Sequence, residues 1–556
     1  MATPSPATES VERPVGLLGD ILRRRAARAP DDLALAFRPD AGADIRLTVG
    51  ELHAQACAIA AELSRLASPG ERAILLFPPG LEFVGAFFGC LYAGVIAVPL
   101  APPRRAAERD HNAAIIADCG ARIVLTLESF FAGVRPEIAE KYRRDGLQMV
   151  HVDRLAPGVE PPSPPSADVA FIQYTSGSTG SPKGVAVSHA NLLANLETIR
   201  LAMGNDAAST YAGWGPLYHD LGLIMNVLQP LYLGAACVLM APASFVRRPL
   251  SWLRLIHDYR AEVAGGPNFA FDLCVDRLRP EAMEGVDLSC WKVAFNGSEP
   301  VRAATLVRFA EAFAPYGFDR AALYPCYGLA EATLLVAAGR RGQGFSVDDG
   351  LVSNGPAAPG VETAVVDPQT CARVPSGAVG EIWVAGPAVA RGYWRRPDET
   401  MLTFGAQIAD EPGRTWLRTG DLGRFDAQGG LYVTGRIKDL ILVRGVNHYP
   451  QDIEATVQAL GVRYRRARGA AFTAPDAHGV ERLVIVQEVE SGLRSPGERE
   501  VMLGDVREAV SREHELSVYA AAFIARGALP VTTSGKVRRR ETRRLWLEGA
   551  FEVEKP

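Results

Sequence analysis

The chain contains few cysteines, and they form no pattern typical of a metal or redox site. Its 556 residues include eight cysteines, which are scattered and never form a Cys-X-X-Cys pair. This spacing argues against the common zinc and dithiol motifs and indicates a reducing compartment, so we expect a cytoplasmic protein. Residues 1–14 lack the basic and apolar segments of a secretory signal and are predicted to be a disordered leader.

The chain also has no large excess of positive or negative charge. Lys and Arg number 59 against 63 Asp and Glu, which gives a net charge of −4. With 48% hydrophobic residues, the composition is that of a soluble globular enzyme and predicts no nucleic-acid partner.

Residues 83–100 form an uncharged run of eighteen residues, which is long enough for a transmembrane helix. The run contains three glycines and a proline and ends in β-branched residues. These features predict a buried helix followed by a buried strand, and we expect no integral membrane association.

The length predicts several domains or subdomains. Helical and strand patterns alternate in the first third of the chain and again over 191–334, which favours α/β architecture with parallel sheets. A Pro-rich stretch, 156–168, is predicted to be a surface crossover. Short, turn-rich strands from about 355 indicate a small β subdomain, and a compact α+β tail follows.

The stretch "YTSGSTGSPKG", residues 174–184, follows the apolar run "VAFIQ". Glycines allow backbone N–H groups to approach an anion and hydroxyls add donors, so the composition indicates a phosphate-binding loop. Its glycines fall at 177, 180 and 184, a spacing that matches neither the P-loop nor the dinucleotide fingerprint. A triphosphate loop of another kind remains, with a solvated turn as the alternative.

Further motifs follow the loop in a fixed order: "GWGPLYHDLG" (213–222), "FNGSEPV" (295–301), "YPCYGLAEAT" (324–333), "RTGDLG" (418–423), "TGRIKDLILVRG" (434–445) and "PVTTSGKVRRR" (530–540). Their order and spacing resemble the adenylate-forming superfamily of acyl-CoA synthetases, luciferases and adenylation domains. The stretches "FPPGLEFVGAFFGCLYAG", "PLYHDLGLIMNVLQPLYLG", "GGPNFAFDLCV" and "RGVNHYPQDIE" are most similar to the fatty acyl-AMP ligases. The resemblance covers essentially the whole chain.

The resemblance implies an ATP site. The residues assigned to it are Thr175, Ser176, Gly177, Ser178, Thr179, Gly180 and Lys183 in the phosphate loop, Asn296, Gly297, Ser298 and Glu299 beside the base, Tyr327 and Gly328 at its aromatic face, and Asp421 and Arg436 at the ribose. A carboxylate suits two ribose hydroxyls because it accepts hydrogen bonds from both. Core packing is the alternative for Tyr327, and turn stabilisation for Asp421.

The resemblance also implies three catalytic residues and a hinge. Lys536 would bridge the carboxylate and the α-phosphate, His219 would lie beside the acyl carboxylate, and Glu331 would hold Mg²⁺. Lys438 matches the hinge residue. The structural alternatives are a surface lysine, a core histidine, a glutamate that starts a helix, and a charged turn at Arg436 and Lys438.

The implied architecture is a large N-terminal domain, 15–436, with two α/β subdomains and a β subdomain at about 355–436, followed by a C-terminal lid, 437–556. The implied reaction uses ATP and Mg²⁺ to convert a fatty acid to an acyl-adenylate and pyrophosphate. The acyl group then passes to the phosphopantetheine thiol of an acyl carrier protein, in trans because the chain ends at Pro556 without a carrier domain.

The chain departs from the family pattern at two places, one beside the phosphates and one that bears on the acceptor. Ala330 stands where many superfamily members carry threonine, although fatty acyl-AMP ligases also have alanine there. Those ligases carry an insertion after "AEAT" that blocks coenzyme A, whereas 21 residues, 334–354, separate Thr333 from Gly355 in this chain. A fatty acyl-CoA synthetase is therefore the alternative enzyme, and an inactive nucleotide-binding scaffold is the alternative outside the enzyme class.

Two basic runs lie in the predicted lid. The first comprises Arg463, Arg465, Arg466 and Arg468, and the second comprises Arg538, Arg539, Arg540, Arg543 and Arg544. Carrier proteins are typically acidic, so both runs are predicted to dock the carrier, with a solvated helix face as the alternative for the second.

Overall fold

The computed structural model describes residues 16–103, 112–133, 136–156, 168–175, 182–443, 446–465, 468–476, 480–490, 496–532 and 536–552. Its strands are β1 Leu33–Arg38, β2 Ile45–Thr48, β3 Arg72–Leu75, β4 Ile96–Pro99, β5 Ile123–Thr126, β6 Gln148–His151, β7 Val169–Thr175, β8 Lys183–Ser188, β9 Tyr211–Gly213, β10 Cys237–Met240, β11 Val263–Gly266, β12 Val293–Asn296, β13 Leu323–Gly328, β14 Leu335–Ala338, β15 Val347–Asp348, β16 Leu351–Val352, β17 Glu362–Val366, β18 Gly380–Ala385, β19 Leu417–Phe425, β20 Leu431–Arg436, β21 Ile441–Val443, β22 Val446–His448, β23 Gly469–Pro475, β24 Glu481–Val489 and β25 Val518–Ala525.

The α-helices of the described residues are α1 Gly19–Arg28, α2 Val49–Leu66, α3 Glu82–Ala93, α4 Ala113–Cys119, α5 Glu128–Phe131, α6 Pro136–Arg144, α7 His189–Met203, α8 Gln229–Leu233, α9 Pro242–Arg247, α10 Leu250–Asp258, α11 Asn268–Asp276, α12 Ala303–Phe313, α13 Pro397–Phe404, α14 Pro450–Ala459, α15 Val462–Arg465, α16 Pro496–His514 and α17 Arg539–Leu547. A π-helix, Leu221–Leu228, precedes α8.

The chain divides into two compact units that interleave along the sequence. Unit 1 is Met1–Tyr174, Gly184–Ala264 and Pro387–Arg396, and unit 2 is Thr175–Lys183, Gly265–Gly386 and Pro397–Pro556. The residue patterns along the chain do not indicate this division. The boundary at 436/437 inferred from the motifs stays a prediction.

Unit 1 is built on parallel strands covered by helices. One sheet has the order β6-β5-β3-β4-β7-β8, and the pairs β6–β5, β5–β3, β3–β4 and β4–β7 are parallel. In a second group of strands, β11, β9, β10 and β1 pair in parallel and β2 closes the edge antiparallel to β1. The α/β architecture predicted from alternating helical and strand patterns is confirmed.

The uncharged run 83–100 folds as predicted. Helix α3 is buried along residues 83–93, Gly94 ends it in a left-handed conformation, and all four residues of β4 are buried. Glycine suits that position because it carries no Cβ penalty at positive φ. Among the described residues, no helix is both long and apolar enough to cross a membrane.

Unit 2 contains three larger strand groups, together with the two-stranded sheets β15-β16 and β21-β22. Strands β12 and β13 are parallel and β14 is antiparallel to β13. The sheet β17-β18-β19-β20 is antiparallel throughout and packs a core around Trp383 and Trp416. The tail carries the sheet β23-β24-β25, which has a buried cluster on each face. This α+β tail matches the predicted lid in fold class.

Candidate active site

An aspartate, a tyrosine and an arginine meet where β19 and β20 pair. Asp421 and Arg436 are cross-strand partners, and Arg436 Nε donates to Asp421 Oδ1 over 2.6 Å. The phenol of Tyr327, on β13, donates to Asp421 Oδ2 over 2.8 Å. Asp421 is 5% exposed. Each carboxylate oxygen keeps a further lone pair, so the cluster can accept hydrogen bonds from a diol. We call it the ribose corner after the role predicted for Asp421 and Arg436.

The charges of the ribose corner reinforce one another. The Asp421 carboxylate raises the pKa of Arg436, and Glu331 adds to that effect. Burial, and then the charge of Asp421, raises the pKa of Tyr327 well above its usual value. Tyr327 is therefore a neutral hydrogen-bond donor, and Arg436 is a permanent cation whose side chain is 59% exposed.

Glu381 of β18 supports the turn that carries Asp421. Its carboxylate is 2% exposed, accepts from Trp383 Nε1 over 2.9 Å, and forms an ion pair with Arg418 at 2.7 Å. Its second oxygen accepts from the backbone N–H of Gly420 over 3.1 Å. Gly420 has φ +71°, a conformation that favours glycine. The residue before Asp421 is thus fixed by a buried carboxylate.

The end of β12 presents a buried amide without a partner. Asn296 is fully buried, and neither its side-chain oxygen nor its nitrogen has a hydrogen-bond partner among the described residues. Buried polar groups are normally hydrogen-bonded, so this amide is suited to a ligand that supplies both a donor and an acceptor. A Cβ on the next residue, Gly297, would lie 2.7 Å from the Cys326 carbonyl oxygen, so only glycine fits there.

Hydrogen bonds from Asn268 hold the rest of the "NGSE" turn. Ser298 has φ +72°, a strained value for a residue with a side chain. Asn268, at the start of α11 and 1% exposed, donates to Glu299 Oε1 over 3.0 Å and to the Pro300 carbonyl over 2.9 Å. One oxygen of Glu299, predicted to bind nucleotide, is therefore engaged in holding the turn.

Glu331 lies on a tight turn between β13 and β14. A Cβ on Gly328 would lie 1.7 Å from the Leu334 carbonyl oxygen, so Gly328 is required for the turn. Thr333 has φ +68° and is buried, and Glu331 sits in a one-turn 3₁₀ helix, Ala330–Ala332, between two buried alanines. Its carboxylate is therefore held on a short, rigid segment.

A magnesium ion fits this carboxylate. In the part of the chain that the structure describes, no group of three or more His, Cys, Asp or Glu could hold a metal ion. Mg²⁺ is commonly held by one or two carboxylates together with substrate phosphates, so the single carboxylate of Glu331 fits the ion where a substrate triphosphate supplies the other ligands.

The two ends of the glycine loop lie close together. Thr175 Oγ1 is 3.5 Å from the Lys183 carbonyl oxygen, and Lys183 Nζ forms an ion pair with Glu399 of α13. The other predicted phosphate contacts, Ser176, Gly177, Ser178, Thr179 and Gly180, lie outside the described residues.

Several cations surround the start of the lid. Partial desolvation lowers the pKa of Lys438, and the positive charges of Lys183, Arg540 and Arg436 lower it further. Repulsion of this kind requires proximity, so two residues predicted for the phosphates and ribose lie in the same neighbourhood as the predicted hinge. A polyanion such as a triphosphate would relieve the repulsion.

His219 belongs to unit 1. It is half-buried, its ring lies 5.1 Å from that of Tyr218, and its carbonyl accepts from Leu223 at the start of the π-helix. Asp220 caps that helix by accepting from the Leu221 N–H over 2.7 Å. π-helices are frequent at functional sites. Gln173, 3% exposed on β7, donates to the Tyr218 carbonyl over 3.0 Å and so ties this turn to the strand that leads to the glycine loop.

Lys536 is exposed on a narrow loop of the lid. The backbones of Thr532 and Lys536 are joined by an N–H···O bond of 2.7 Å, and the Lys536 N–H donates to Thr532 Oγ1 over 3.0 Å. Val531 and Val537 form an isolated antiparallel bridge at the base of the loop.

The second basic run is largely occupied by contacts within the lid. Arg539 pairs with Glu454, Arg543 with Glu481, and Arg544 with Glu541 and Glu548. Of the first run, Arg466 and the side chain of Arg465 lie outside the described residues, and Arg463 is exposed.

The sequence alone assigns no role to Glu381, Asn268 or Gln173, which hold the turns. Asn268 lies in the stretch "GGPNFAFDLCV" and Gln173 ends the apolar run "VAFIQ". A signal existed for Glu381, because it is a single carboxylate within the apolar strand "GEIWVA". A charge inside a buried strand normally has a specific partner. Asn268 and Gln173 carry no comparable signal.

Two family models match the chain. An AMP-binding enzyme model matches residues 22–394, and a model of the AMP domain of Disco-interacting protein 2-like proteins matches residues 438–556.

Relatives and solved structures agree with these matches. The medium-chain-fatty-acid–[acyl-carrier-protein] ligase JamA of Moorena producens is 39% identical over 96% of this chain and 95% of its own length. The long-chain-fatty-acid–AMP ligase FadD26 of Mycobacterium marinum is 37% identical over 93% and 95% of the two chains. The crystal structure of a fatty acyl-adenylate ligase from L. pneumophila, in complex with acyl adenylate and pyrophosphate, superposes with a TM-score of 0.72 at 37% identity and covers 97% of this chain and 98% of that one.

Proposed function

Since this chain belongs to the AMP-binding enzyme family, we propose that it is a fatty acyl-AMP ligase that joins a fatty acid to AMP and then transfers the acyl group to an acyl carrier protein. The names of the relatives support the substrate and the acceptor. The ribose corner is the observation that carries the proposal. It is a buried carboxylate with open lone pairs, and it lies beside a permanent cation and a neutral phenol.

In the first half-reaction, an oxygen of the fatty carboxylate attacks the α-phosphorus of ATP. A P–O bond forms to the carboxylate as the bond to the β,γ-phosphates breaks, and pyrophosphate leaves with that electron pair. Phosphoryl-transfer chemistry of this kind depends on positioning and charge stabilisation more than on covalent help.

Each predicted residue is assigned a role in that step. Asp421 accepts from the ribose hydroxyls, Asn296 meets the edge of the base, and Thr175 and Lys183 flank the phosphates. Tyr327 covers the base while its phenol remains bound to Asp421. His219 orients the fatty carboxylate, and Lys536 stabilises charge between the carboxylate and the α-phosphate, where the transition state is most anionic.

Glu331 would hold Mg²⁺, which supplies charge neutralisation for the triphosphate when it is bound. The turn between β13 and β14 constrains the backbone that carries that carboxylate.

In the second half-reaction, a phosphopantetheine thiol attacks the acyl carbonyl. A C–S bond forms, the acyl–phosphate C–O bond breaks, AMP leaves, and the thiol proton is released. Lys438 lies in a 3₁₀ turn, Ile437–Asp439, directly after β20 at the start of the lid, where a backbone rotation changes the face that the lid presents.

Incubation of the protein with radiolabelled fatty acid, ATP and Mg²⁺ tests the proposal. Parallel samples contain no acceptor, coenzyme A, or a phosphopantetheinylated carrier protein. We expect acyl-AMP without acceptor, acyl-carrier with the carrier, and little acyl-CoA. A protein that binds ATP but forms no acyl-AMP would be an inactive scaffold instead.

A fatty acyl-CoA synthetase is the second candidate, and one observation favours it. The segment after Thr333 forms β14 and then a hairpin of two-residue strands, β15 and β16, before reaching Gly355. The segment 334–354 has 21 residues, which is short for the insertion that the resemblance implies in fatty acyl-AMP ligases, and this supports coenzyme A as an acceptor. Efficient acyl-CoA formation in the same assay would establish this candidate.

A further inference from the structure

A side-chain hydrogen bond crosses the predicted hinge within unit 2. Arg302 directly follows the motif "FNGSEPV" and precedes α12, whereas Gln458 lies near the end of α14 in the lid. Arg302 Nη1 donates to Gln458 Oε1 over 3.3 Å. The hinge residue Lys438 lies between the two partners along the chain. A rotation of the lid at Lys438 therefore moves Gln458 relative to Arg302.

Other contacts attach Arg302 to the nucleotide turn and to α11. Its backbone N–H donates to the side-chain oxygen of Asn268 over 3.0 Å, and Asn268 is the residue that holds the "NGSE" turn. Its Nη2 donates to Asp272 of α11 over 2.9 Å. Asp272 also accepts from Arg308 over 3.1 Å and from Thr305 Oγ1 over 3.0 Å, both on α12. The guanidinium is thus anchored on the large region and extends its other nitrogen to the lid.

Arg539 indicates which side of the lid lies toward the nucleotide turn. Burial lowers the pKa of Arg539, but the charges of three carboxylates outweigh that effect and raise it. Two of these carboxylates belong to the lid, and the third is Glu299 of the "NGSE" turn. An interaction of this kind requires proximity, so the side of the lid that carries Arg539 is turned toward that turn. The proposed adenylation step requires this side near the nucleotide, because Lys536 precedes Arg539 by three residues.

The other end of α11 meets the lid less favourably. Residues 276–279 and Arg526 of the lid line a cavity of about 300 Å³. Arg277, Arg279 and Arg526 are all exposed, and like charges that line one cavity repel each other. Glu490, a lid carboxylate 3.6 Å from Arg526, offsets part of this charge. The repulsion disfavours the observed lid orientation, so an attractive contact elsewhere between the large region and the lid has a direct effect on it.

We propose that Arg302 is a positioning residue that ties the lid, through Gln458, to the "NGSE" turn and so stabilises the lid orientation used for adenylation. The inference rests on the proposed function for its catalytic consequence. The Arg302 side chain is 44% exposed, so the contact is weak enough to break in each catalytic cycle. Rotation at Lys438 separates Gln458 from Arg302 and leaves the Arg302–Asp272 pair in place.

Variants of Gln458 test the contact without altering the nucleotide turn. Gln458→Glu converts the hydrogen bond into an ion pair and strengthens it, whereas Gln458→Leu removes the acceptor. Arg308→Lys is the matched control, because Arg308 donates to the same Asp272 and to Asp276, which also belongs to the large region. Adenylation is followed by pyrophosphate release, and transfer is followed with supplied acyl-AMP and carrier.

We expect Gln458→Glu to raise the ratio of the adenylation rate to the transfer rate about two- to threefold, because exposed pairs contribute modest energies. Gln458→Leu should lower the ratio by a similar factor, and Arg308→Lys should leave it unchanged. In an Arg302→Met background, Gln458→Glu should have no effect. An unchanged ratio in both Gln458 variants, shifts in the same direction, a reversed order, or a Gln458→Glu effect that persists without Arg302 would overturn the proposal.

Double electron–electron resonance between two spin labels separates this inference from the proposed function. The labels are attached to non-natural keto residues placed at Leu402 of α13 and Val501 of α16, which are 74% and 65% exposed. Without substrate, Gln458→Glu should raise the population of the observed lid orientation relative to other orientations about two- to threefold, and Gln458→Leu should lower it. If wild type forms no acyl-AMP, the proposed function fails while the label distances still test the contact. Equal distance distributions in wild type and both variants would overturn the inference.

Discussion

The ribose corner and the Lys536 loop hold their functional groups in opposite ways. Asp421 is 5% exposed and receives hydrogen bonds from Arg436 and Tyr327, on a strand that pairs with β20 from Asp421 to Phe425. Lys536 is exposed on a loop closed by two short-range hydrogen bonds and one isolated bridge.

The difference in burial and attachment between Asp421 and Lys536 matches the different roles proposed for them, nucleotide binding and catalysis. Groups that bind the unreactive part of a nucleotide gain from being rigid before the ligand arrives. A group that acts on developing charge in one half-reaction must leave for the next, and an exposed loop on a separate lid permits that.

Replacement of Lys536 by alanine tests the catalytic role of the exposed loop. We expect adenylation to fall roughly 10²–10³-fold, because one positioned donor to the transition state is lost. The Kd for ATP, measured by titration calorimetry, should change little because the ribose corner is intact. Near-normal adenylation would show that Lys536 does not stabilise the transition state.

Asp421→Asn tests the binding role of the ribose corner. Hydrogen bonds to a charged group contribute about 1.5–3 kcal/mol, so the Kd for ATP should rise roughly 10–100-fold. Thr419→Val provides a nearby control, since Thr419 Oγ1 accepts from the Asp421 N–H without being assigned to the ligand. An Asp421→Asn protein that binds ATP as tightly as wild type would refute the ribose assignment.

Glu331→Gln tests whether the turn after β13 belongs with the rigid binding groups. Loss of one anionic oxygen should raise the Mg²⁺ concentration for half-maximal adenylation by about five- to tenfold. The measurement is a Mg²⁺ titration at saturating ATP. An unchanged midpoint would contradict the metal assignment.

Arg463→Glu tests the role of the lid surface in carrier docking and has the smallest expected effect. Exposed charges at the edge of an interface act mainly on association rate, so transfer to an acidic carrier should slow about two- to threefold at low salt. Adenylation should be unaffected. Equal transfer rates at low salt would show that Arg463 is only a solvated surface residue.

The motifs located most residues of the candidate site because each motif contains its own turn chemistry. "YGLAEAT" places Gly328 where a Cβ is excluded, and "RTGDLG" places Gly420 at positive φ beside Asp421. The helix and strand of residues 83–100 were predictable for a similar reason, since composition and glycine positions are local properties.

The supporting residues could not be predicted because their partners are distant in sequence. Glu381 and Arg418 are 37 residues apart, Gln173 and Tyr218 are 45 apart, and Glu454 and Arg539 are 85 apart. A single polar residue in an apolar segment indicates that a partner exists but not which residue it is. The interleaved division of the chain into two units is likewise a property of long-range packing.

The junction after Arg436 sets a condition for exchanging lids between related enzymes. Gly435 has no room for a Cβ, which would lie 2.6 Å from the ring of Tyr449, and Gln451 donates to the Thr434 carbonyl over 2.6 Å. A chimaera joined at 436/437 would therefore keep the ribose corner. The lid taken from the other enzyme would have to supply an aromatic ring at the position of Tyr449 and an amide at that of Gln451. Lids that carry both can be recombined as modules, whereas a donor lacking either would alter the strand that ends in Arg436 and with it the affinity for nucleotide.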